Sequence, residues 1–280
     1  MKVSIIMATY NRASTIVRAL SSVKNQTYKN VELVVIDGAS KDATIDLVTP
    51  FISSTDTMQS EPDSGIYDAL NKGVKISSGD IIAFLHSDDL YSNDDVLCSV
   101  MNIFTDNDVD IVYGDVSFFL KDKPNKVVRM YRSDKLSEAN LAWGKMPAHP
   151  AMFIRRRVYE RIGPFKTDYS IAGDFEFLCR VVRSADFNAV YFPSVLVRMQ
   201  SGGISTGGLK NSILLNKEVY YALQNNEIYT NIFMLLSNRA SYILIGTGSI
   251  LLIIDGAQPH TLLKRIPEQI LALPSVEKRT

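Results

Sequence analysis

The chain has 280 residues, of which 46% are hydrophobic and 21% charged, and its formal net charge is zero. This size and balance fit one large α/β domain, or one and a half average domains, with a substantial buried core. A zero net charge argues against a general nucleic-acid binder, which needs a strongly basic surface.

Apolar runs typical of strands alternate with segments of helical spacing through the first part of the chain. The opening run Met1–Ala8 is too short for a secretory signal peptide and no small-residue cleavage site follows it, so we expect a cytoplasmic protein. The predicted strands are Val3–Ala8, Val31–Ile36, a short one near Met58, Ile81–Leu85 and Ile111–Phe119. The predicted helices are Ala13–Lys24, Asp42–Phe51, Ile66–Ile76 and Asp94–Phe104.

The second part of the chain is less regular. We predict a charged turn at Lys121–Lys126, a helix at Asp174–Arg183, and strands at Ala151–Ile154 and Ala189–Val197. The glycine-rich run Gly202–Gly208 is predicted to be either a lid that closes over a ligand or a flexible linker. The two cysteines, Cys98 and Cys179, are far apart in sequence and are read as core residues.

Strand–helix alternation over residues 1–115 predicts an α/β fold with a mostly parallel sheet and helices on both faces. Ligands of such sheets bind beyond the carboxyl ends of the strands. Three polar clusters each follow an apolar strand directly, so we expect them to meet at one edge of the sheet. These clusters are Thr9-Tyr10-Asn11-Arg12, Asp37 and Asp88-Asp89.

Asp88 and Asp89 concentrate negative charge at this predicted edge. Mg²⁺ or Mn²⁺ is commonly held by one or two carboxylates together with substrate phosphates, so the pair predicts a metal–diphosphate site. The alternative is an ordinary acidic loop, or a cap for the helix that follows.

Other polar residues also have a chemical and a structural interpretation. Asp37 is suited to a ribose hydroxyl or a base N–H, or it forms the turn before Gly38. Asp174, at a predicted helix start, is suited to a general base, or it is an N-cap. Glu176 lies two residues on and therefore does not share its helix face. His149 either orients a ligand or is a structural loop histidine.

Several common motifs are absent. No Gly-x-Gly-x-x-Gly follows the first strand and no Walker A sequence occurs, which argues against a dehydrogenase and a P-loop kinase. There is no Gly-x-Ser-x-Gly elbow, and the His and Cys residues lack zinc-ligand spacing.

Taken together, these segments resemble family 2 glycosyltransferases over Met1–Ser205. The resemblance rests on Val3–Arg12 (VSIIMATYNR) and Val34–Asp42 (VVIDGASKD), the latter similar to an Asp-Gly-Ser-x-Asp segment with Ala39 inserted. Glu61–Gly73 (EPDSGIYDALNKG) looks like a run found in bacterial O-antigen, capsule and colanic-acid transferases. Ser87–Asp89 resembles the Asp-x-Asp region with Ser87 replacing its first acid. Gly173-Asp174 is similar to a Glu-Asp motif with Gly173 replacing the glutamate.

The resemblance implies a GT-A fold and transfer of one sugar, with inversion, from a nucleotide sugar to an acceptor. UDP is the family's usual nucleotide, and a lipid-linked saccharide in surface polysaccharide synthesis is the implied acceptor. Asp89 is the implied metal ligand for Mg²⁺ or Mn²⁺, and Asp174 the implied catalytic base. His149 and Glu176 fall on the acceptor or supporting side. The implied nucleotide-binding residues are Thr9, Tyr10, Asn11, Arg12, Asp37, Asp63, Gly65, Lys72 and Asp88. Lys72, implied to contact phosphate, is otherwise a solvated helix lysine.

On this basis residues 1–208 are expected to form the catalytic domain, with a nucleotide-sugar half at 1–115 and an acceptor half at 116–208. Residues 209–280 are expected to form a C-terminal helical region. Within it, Ala240–Ile254 is an uncharged run of 15 residues, short of the roughly 18–20 that span a bilayer. It is read as a helix buried in the core, in a homodimer interface, or in the plane of the inner membrane surface.

Three rival functions remain at this stage. A processive synthase of the cellulose or hyaluronan type would add a Gln-x-x-Arg-Trp motif and long membrane spans, whereas the sole tryptophan here, Trp143, lies in another context. A nucleotidyltransferase would need a glycine- and lysine-rich phosphate loop near the N-terminus. A noncatalytic binding protein with the same fold is left open by Ser87 and Gly173.

Overall fold

The computed structural model describes residues 1–106, 108–133, 135–184, 186–202, 209–237, 240–245 and 249–254, and within these ranges the side chains of residues 209 and 236–254 are not described. Apart from Gly202, the predicted lid at Gly202–Gly208 lies outside the described residues.

Helices and strands alternate regularly up to residue 104 and less regularly after it. The strands are β1 Val3–Thr9, β2 Val31–Asp37, β3 Thr57–Ser60, β4 Ile81–Phe84, β5 Leu90–Tyr91, β6 Ile111–Leu120, β7 Lys123–Tyr131, β8 Met152–Arg155 and β9 Ala189–Gln200. The helices are α1 Ile16–Lys24, α2 Thr44–Val48, α3 Ile66–Ile76, α4 Val96–Ile103, α5 Glu138–Ala142, α6 Arg156–Ile162, α7 Gly173–Ser184, α8 Leu209–Asn225 and α9 Ile232–Ser237.

Among the described residues, these nine strands form one sheet in the order β3-β2-β1-β4-β8-β6-β9-β5, with β7 paired to β6. The pairs β1–β2, β1–β4 and β2–β3 are parallel, as predicted from the strand–helix alternation. The second half is mixed, because β8 runs antiparallel to both β4 and β6 while β9 runs parallel to β6. The α/β prediction is therefore confirmed, with its parallel part confined to the first half.

Both faces of the sheet are covered by helices, which explains the uninterrupted apolar strands. Every residue of β1 is buried, and its alternate side chains enter two different cores. Ile6 packs on the face covered by α3, α7 and α8. Ile5 and Met7 pack on the opposite face, against α1 and α4. Leu20 and Leu97 are fully buried there, so those helices supply the apolar stripe that covers the sheet.

The charged turn predicted at Lys121–Lys126 is shorter than expected. Only Lys121 and Asp122 form the turn, and the chain then continues as the exposed strand β7. Its charged and polar residues lack the buried alternation that identifies a strand, which is why the sequence pattern missed it.

The chain divides into two compact units, Met1–Leu235 and Leu236–Thr280. Helix α8 packs on α7 within the first unit, so this division lies later in the chain than residue 208, the end of the catalytic domain expected from the sequence. Helices α8 and α9 lie within the region 209–280. The helix expected over Ala240–Ile254 is wrong: Ala240–Ile245 and Ser249–Ile254 are antiparallel strands, β10 and β11. Abundant isoleucine and the two glycines between the strands, Gly246 and Gly248, favour a hairpin there.

Candidate active site

The three predicted polar clusters meet at the carboxyl edge of the parallel strands, as expected. Thr9 and Asp37 are register partners at the ends of β1 and β2. Leu85, just after β4, donates its N–H to Ile6 O at 3.1 Å, which places the following turn beside them. Asp89 N–H closes that turn by donating to His86 O at 3.0 Å.

Asp37 is fully buried and holds the loop after β2. Its carboxylate accepts hydrogen bonds from Ser40 N–H at 2.8 Å and from the Ser60 hydroxyl at 2.7 Å. Between them, Ala39 adopts a φ of 60°, a left-handed conformation that non-glycine residues rarely take. In this structure Asp37 therefore acts as the turn-forming residue, and its contact with a nucleotide stays a prediction.

The loop after β1 is joined to the loop after β2 by hydrogen bonds between backbone N–H groups and side-chain oxygens. Asn11 Oδ1 accepts from Lys41 N–H at 2.9 Å, and Asn11 N–H donates to the Ser40 hydroxyl at 2.8 Å. Arg12 N–H donates to Thr44 Oγ1 at 2.8 Å. Because Asn11 is used to connect the loops, Tyr10, which is 54% exposed, is the better candidate to contact a ligand.

Asp63 approaches the same place from the loop between β3 and α3. A Cβ atom on Gly38 would lie 2.6 Å from Asp63 Oδ2 and 3.4 Å from Tyr10 Cδ2, so Gly38 permits all three to meet. Asp63 Oδ1 accepts from Gly65 N–H at 3.0 Å. Gly65 has a φ of 125°, which a side chain would strain, and it leads directly into α3.

Lys72 lies on α3 and is already paired within the protein. Its Nζ contacts Glu61 Oε1 at 2.8 Å and Asp68 Oδ2 at 3.3 Å, and it donates to Pro62 O at 3.0 Å. These contacts raise the pKa of Lys72, chiefly through the hydrogen bond to Glu61. Lys72 therefore fixes this loop, and its predicted contact with phosphate would require it to leave these partners.

The two acids after β4 have different environments. Asp89 is 2% exposed, and its Oδ1 accepts from Gln200 N–H at 3.0 Å at the end of β9. Burial, followed by the charge of Asp88, raises the pKa of Asp89 well above its usual range. The Asp89 carboxylate therefore joins this turn to β9, and its implied role as the metal ligand stays a prediction. Asp88 is the more accessible acid of the pair.

His149 favours the structural interpretation. It is 6% exposed and its ring stacks on Phe84 with a centroid separation of 4.9 Å. Burial, with a smaller effect from the charge of His86, lowers the pKa of His149 to about 3, so it stays neutral. Its Nε2 atom has no hydrogen-bond partner among the described residues.

Asp174 is the second residue of α7, where the helix dipole favours a negative charge. One of its oxygens lies 3.2 Å from the Tyr67 hydroxyl and accepts from Phe175 N–H at 2.9 Å. Burial raises the pKa of Asp174 to about 6, and the hydrogen bonds from Phe175 and Tyr67 partly oppose that increase. Because Tyr67 lies in the first turn of α3, just after Gly65, Asp174 lies on the same side of the sheet as the loop that carries Asp63.

Glu176 has a different environment from Asp174. Its carboxylate is fully buried between Lys166, at 2.7 Å, and Arg180, at 3.0 Å. Burial of a charge is tolerated when it is paired in this way, so Glu176 supports the scaffold rather than exchanging protons with a substrate.

Two residues near Asp174 were missed by the sequence reasoning. One is Tyr67, although it lies within the run Glu61–Gly73. The other is Glu218 of α8, whose carboxylate accepts from Ser170 N–H, Ile171 N–H and Ala172 N–H, each at 2.8 Å. Its position could have been recognised from the sequence, because Glu218 is an acid that shares one helix face with the apolar residues Leu215, Val219 and Ala222, which are buried.

The acids fit a divalent cation only in combination with a substrate. Among the described residues, no group of three or more His, Cys, Asp or Glu side chains is arranged to hold a metal ion. One accessible carboxylate at the strand edge, with a second buried behind it, is nevertheless compatible with Mg²⁺ or Mn²⁺, which often take most of their ligands from water and phosphate oxygens.

Comparison with known proteins finds a matching family and similar sequences. The profile described as Glycosyl transferase family 2 matches residues 4–163. A PGL/p-HBAD biosynthesis glycosyltransferase of Mycobacterium bovis is 29% identical over 226 residues, which cover 75% of this chain and 80% of that protein.

Solved structures share the fold at lower identity. The crystal structure of S. aureus TarS 1-349 in complex with UDP-GlcNAc matches this chain with a TM-score of 0.63 and 17% identity. The match covers 80% of this chain and 67% of that one. The mannosyltransferase PcManGT from Pyrobaculum calidifontis, in complex with GDP-Man and Mn²⁺, has a TM-score of 0.60 and 22% identity, covering 82% of this chain and 65% of that one. These matches show a GT-A type fold.

Proposed function

This chain belongs to Glycosyl transferase family 2, and we propose that it transfers one sugar from a nucleotide sugar, with UDP preferred, to a saccharide acceptor with inversion at the anomeric carbon. The observation that carries the proposal is the Asp174 carboxylate, which accepts a hydrogen bond from Tyr67 in the first turn of α3 and whose pKa burial raises to about 6. A base with this pKa is ionised at neutral pH and still accepts a proton more readily than an ordinary aspartate.

The donor is proposed to bind where the loops after β1, β2 and β3 meet. The exposed Tyr10 ring offers a face for stacking, and the Asp63 carboxylate beside Gly38 offers a hydrogen-bond acceptor for the nucleoside. Thr9 adds a buried hydroxyl that has no hydrogen-bond partner among the described residues. Hydrogen bonds between the loops after β1 and β2 hold these two loops together before the donor arrives.

Asp88 is proposed to hold a divalent cation, with Asp89 behind it keeping the turn in place. When bound, such a cation offsets charge on the departing nucleoside diphosphate. The accessible position of Asp88 in the turn after β4 supports this assignment, since Mg²⁺ and Mn²⁺ commonly take one or two carboxylates together with phosphate oxygens.

In the proposed reaction, the ionised Asp174 takes the proton of an acceptor hydroxyl. The hydroxyl oxygen forms a bond to the anomeric carbon as the bond from that carbon to the diphosphate oxygen breaks. Because attack and departure occur on opposite faces, the configuration at that carbon is inverted. Asp174 holds the proton at the end of the step, and the nucleoside diphosphate carries away the electron pair of the broken bond.

The acceptor is proposed to be a lipid-linked saccharide used in surface polysaccharide synthesis, met at the inner face of the membrane. No helix in the described part of the chain is both long and apolar enough to cross a bilayer. Support for association at the surface comes from the hairpin of β6 and β7. Since β6 is antiparallel to β8, and β8 is antiparallel to β4, the hairpin turn projects from the same edge as the donor loops.

The hairpin combines cationic and aliphatic side chains. Residues 121–132 contain five cations and one acid, and four aliphatic residues of the hairpin are 43–50% exposed: Leu120, Val127, Val128 and Met130. Cations beside exposed apolar groups favour an anionic lipid surface. Contact of the segment Ala240–Ile254 with the membrane, the core or a second subunit stays a prediction.

Vesicle flotation tests this membrane proposal. We expect the full-length protein to float with vesicles containing about one third anionic lipid, and to float less with neutral vesicles. Charge reversal by Lys123→Glu and Lys126→Glu should weaken binding by about 10-fold or more, since each basic residue contributes about 1 kcal/mol at such a surface. Reversal of two exposed lysines elsewhere, Lys29→Glu and Lys75→Glu, should have a smaller effect. An equal loss of vesicle binding in both double variants would exclude the hairpin as the membrane-binding surface.

A further inference from the structure

The phenol of Tyr67, on α3, contacts the segment Ser170–Asp174. The Tyr67 hydroxyl lies 2.6 Å from Ile171 O and 3.2 Å from Asp174 Oδ1, so its hydrogen can be directed to either acceptor. The Tyr67 side chain is 6% exposed and packs on Phe165 with ring centroids 5.8 Å apart. Burial raises the pKa of Tyr67 far above its usual value, so it remains a neutral donor.

Gly173 is matched to this ring. A Cβ atom at position 173 would lie 2.8 Å from Tyr67 Cε2 and 2.9 Å from Cδ2 and Cζ, closer than real Cβ contacts. A glutamate there, as in the motif that Gly173-Asp174 resembles, would collide with the phenol or displace the first turn of α7. The glycine that departs from that motif is therefore explained by the tyrosine, and it gives no reason to regard the protein as inactive.

The same helix also binds the loop before this segment, at Phe165. One turn after Tyr67, the Asn71 side chain donates to Phe165 O at 2.8 Å and accepts from Phe165 N–H at 2.9 Å. The loop that precedes α3 contains Asp63 and Gly65, which are assigned to the donor site. Helix α3 thus connects the donor loop to the segment that carries the base.

We propose that Tyr67 is a positioning residue that fixes the orientation and the proton affinity of Asp174, and that Gly173 is the complementary residue that admits its ring. This inference rests on the proposed role of Asp174 as the base. Among the described residues, Tyr67 from α3 and Glu218 from α8 are titratable groups that act on Asp174. They act in opposite directions, since the phenol donates a hydrogen bond to the carboxylate whereas Glu218 places a second negative charge near it.

The direct test is a carboxyl NMR titration of the full-length protein without substrates. With ¹³C-labelled aspartate, the Asp174 signal is assigned by its loss in Asp174→Asn. In Tyr67→Phe we expect its titration midpoint to rise by about one pH unit, because a hydrogen bond to the ionised form is removed. The matched control is Tyr159→Phe, since the buried Tyr159 hydroxyl has no hydrogen-bond partner among the described residues. A midpoint in Tyr67→Phe equal to that of Tyr159→Phe would overturn the proposal.

Activity separates this inference from the proposed function. In Tyr67→Phe, turnover should fall by about 10-fold and the acidic limb of its pH profile should move to higher pH, with donor affinity unchanged. If the NMR midpoint moves while Asp174→Asn keeps full turnover, Tyr67 still positions Asp174 but Asp174 is not the base.

A double variant tests the steric half of the proposal. Gly173→Ala should lower turnover and thermal stability, because the new methyl group meets the Tyr67 ring. Combining it with Tyr67→Leu should cost less stability than the two single losses added together, since the colliding ring is gone. Strictly additive losses of stability would show that the residue at position 173 does not collide with the Tyr67 ring.

Discussion

Substitution of Glu218 tests the structure around Asp174. Glu218 lies on α8, outside the residues 4–163 that match the family profile, and it binds the segment before Asp174. Its side chain is 8% exposed, and both carboxylate oxygens accept backbone hydrogen bonds. The substitution Glu218→Gln keeps the size of the side chain but removes the charge. One amide oxygen can still accept two N–H groups, while the NH₂ group faces the third N–H, donor against donor.

The expected loss follows from these three bonds. A hydrogen bond to a charged group contributes about 1.5–3 kcal/mol and a neutral one about 0.5–1.5 kcal/mol, so two bonds weaken by about 1 kcal/mol each. The third N–H is left unpaired, at a cost of about 1–3 kcal/mol. The total is about 3–5 kcal/mol. With an unfolding entropy of about 0.6 kcal/mol per kelvin for a chain of this size, Tm should fall by about 5–8 °C.

Thermal unfolding and amide hydrogen exchange measure this effect. In Glu218→Gln, exchange at residues 170–172 should accelerate by at least about 100-fold, the equivalent of about 3 kcal/mol. The control is Glu138→Gln, whose carboxylate is half exposed and pairs with Arg183 at 3.3 Å. Such a surface pair contributes under about 1 kcal/mol. Unchanged exchange at residues 170–172 in Glu218→Gln would refute the reasoning.

Four further outcomes are expected. Asp174→Asn should keep donor affinity, measured by calorimetry, and lose turnover by about 10²–10⁴-fold, the usual scale for loss of a general base. Because Asp174 acts only when ionised and burial raises its pKa to about 6, wild-type turnover should be half-maximal near that pH and fall on further acidification. Asp88→Asn should reduce turnover and raise the Mg²⁺ or Mn²⁺ concentration needed for it, whereas full wild-type activity in EDTA would contradict a metal role. Gly38→Ala should weaken donor binding with little effect on Tm, since its new Cβ would lie 2.6 Å from Asp63 Oδ2.

The fold was predictable from sequence where one physical pattern dominates. Strands β1, β2 and β4 are buried on both faces, so their apolar runs are unambiguous, and the polar residues after them converge on one edge. The exposed strand β7 and the hairpin of β10 and β11 were missed, since neither shows the expected alternation of polar and apolar residues.

The site was predictable in its location but not in the environment of each side chain. Sequence adjacency could not show that Asp89 is buried against Gln200 while Asp88 is accessible, or that Lys72 is occupied by Glu61. These differences arise from contacts between residues distant in the chain. For the same reason the contacts of Tyr67 and Glu218 with the base segment emerge only from the folded structure.

The central claim, inverting transfer with Asp174 as the base, is tested most directly by the stereochemistry of the product. The full-length protein is incubated with Mg²⁺ or Mn²⁺, a panel of α-linked nucleotide sugars and a synthetic lipid-diphosphate saccharide, and the new linkage is read by NMR. We expect a single β-linked sugar from one donor with the wild type and at most about one hundredth of that rate with Asp174→Asn. An α-linked product, or equal transfer by the two proteins, would contradict the claim.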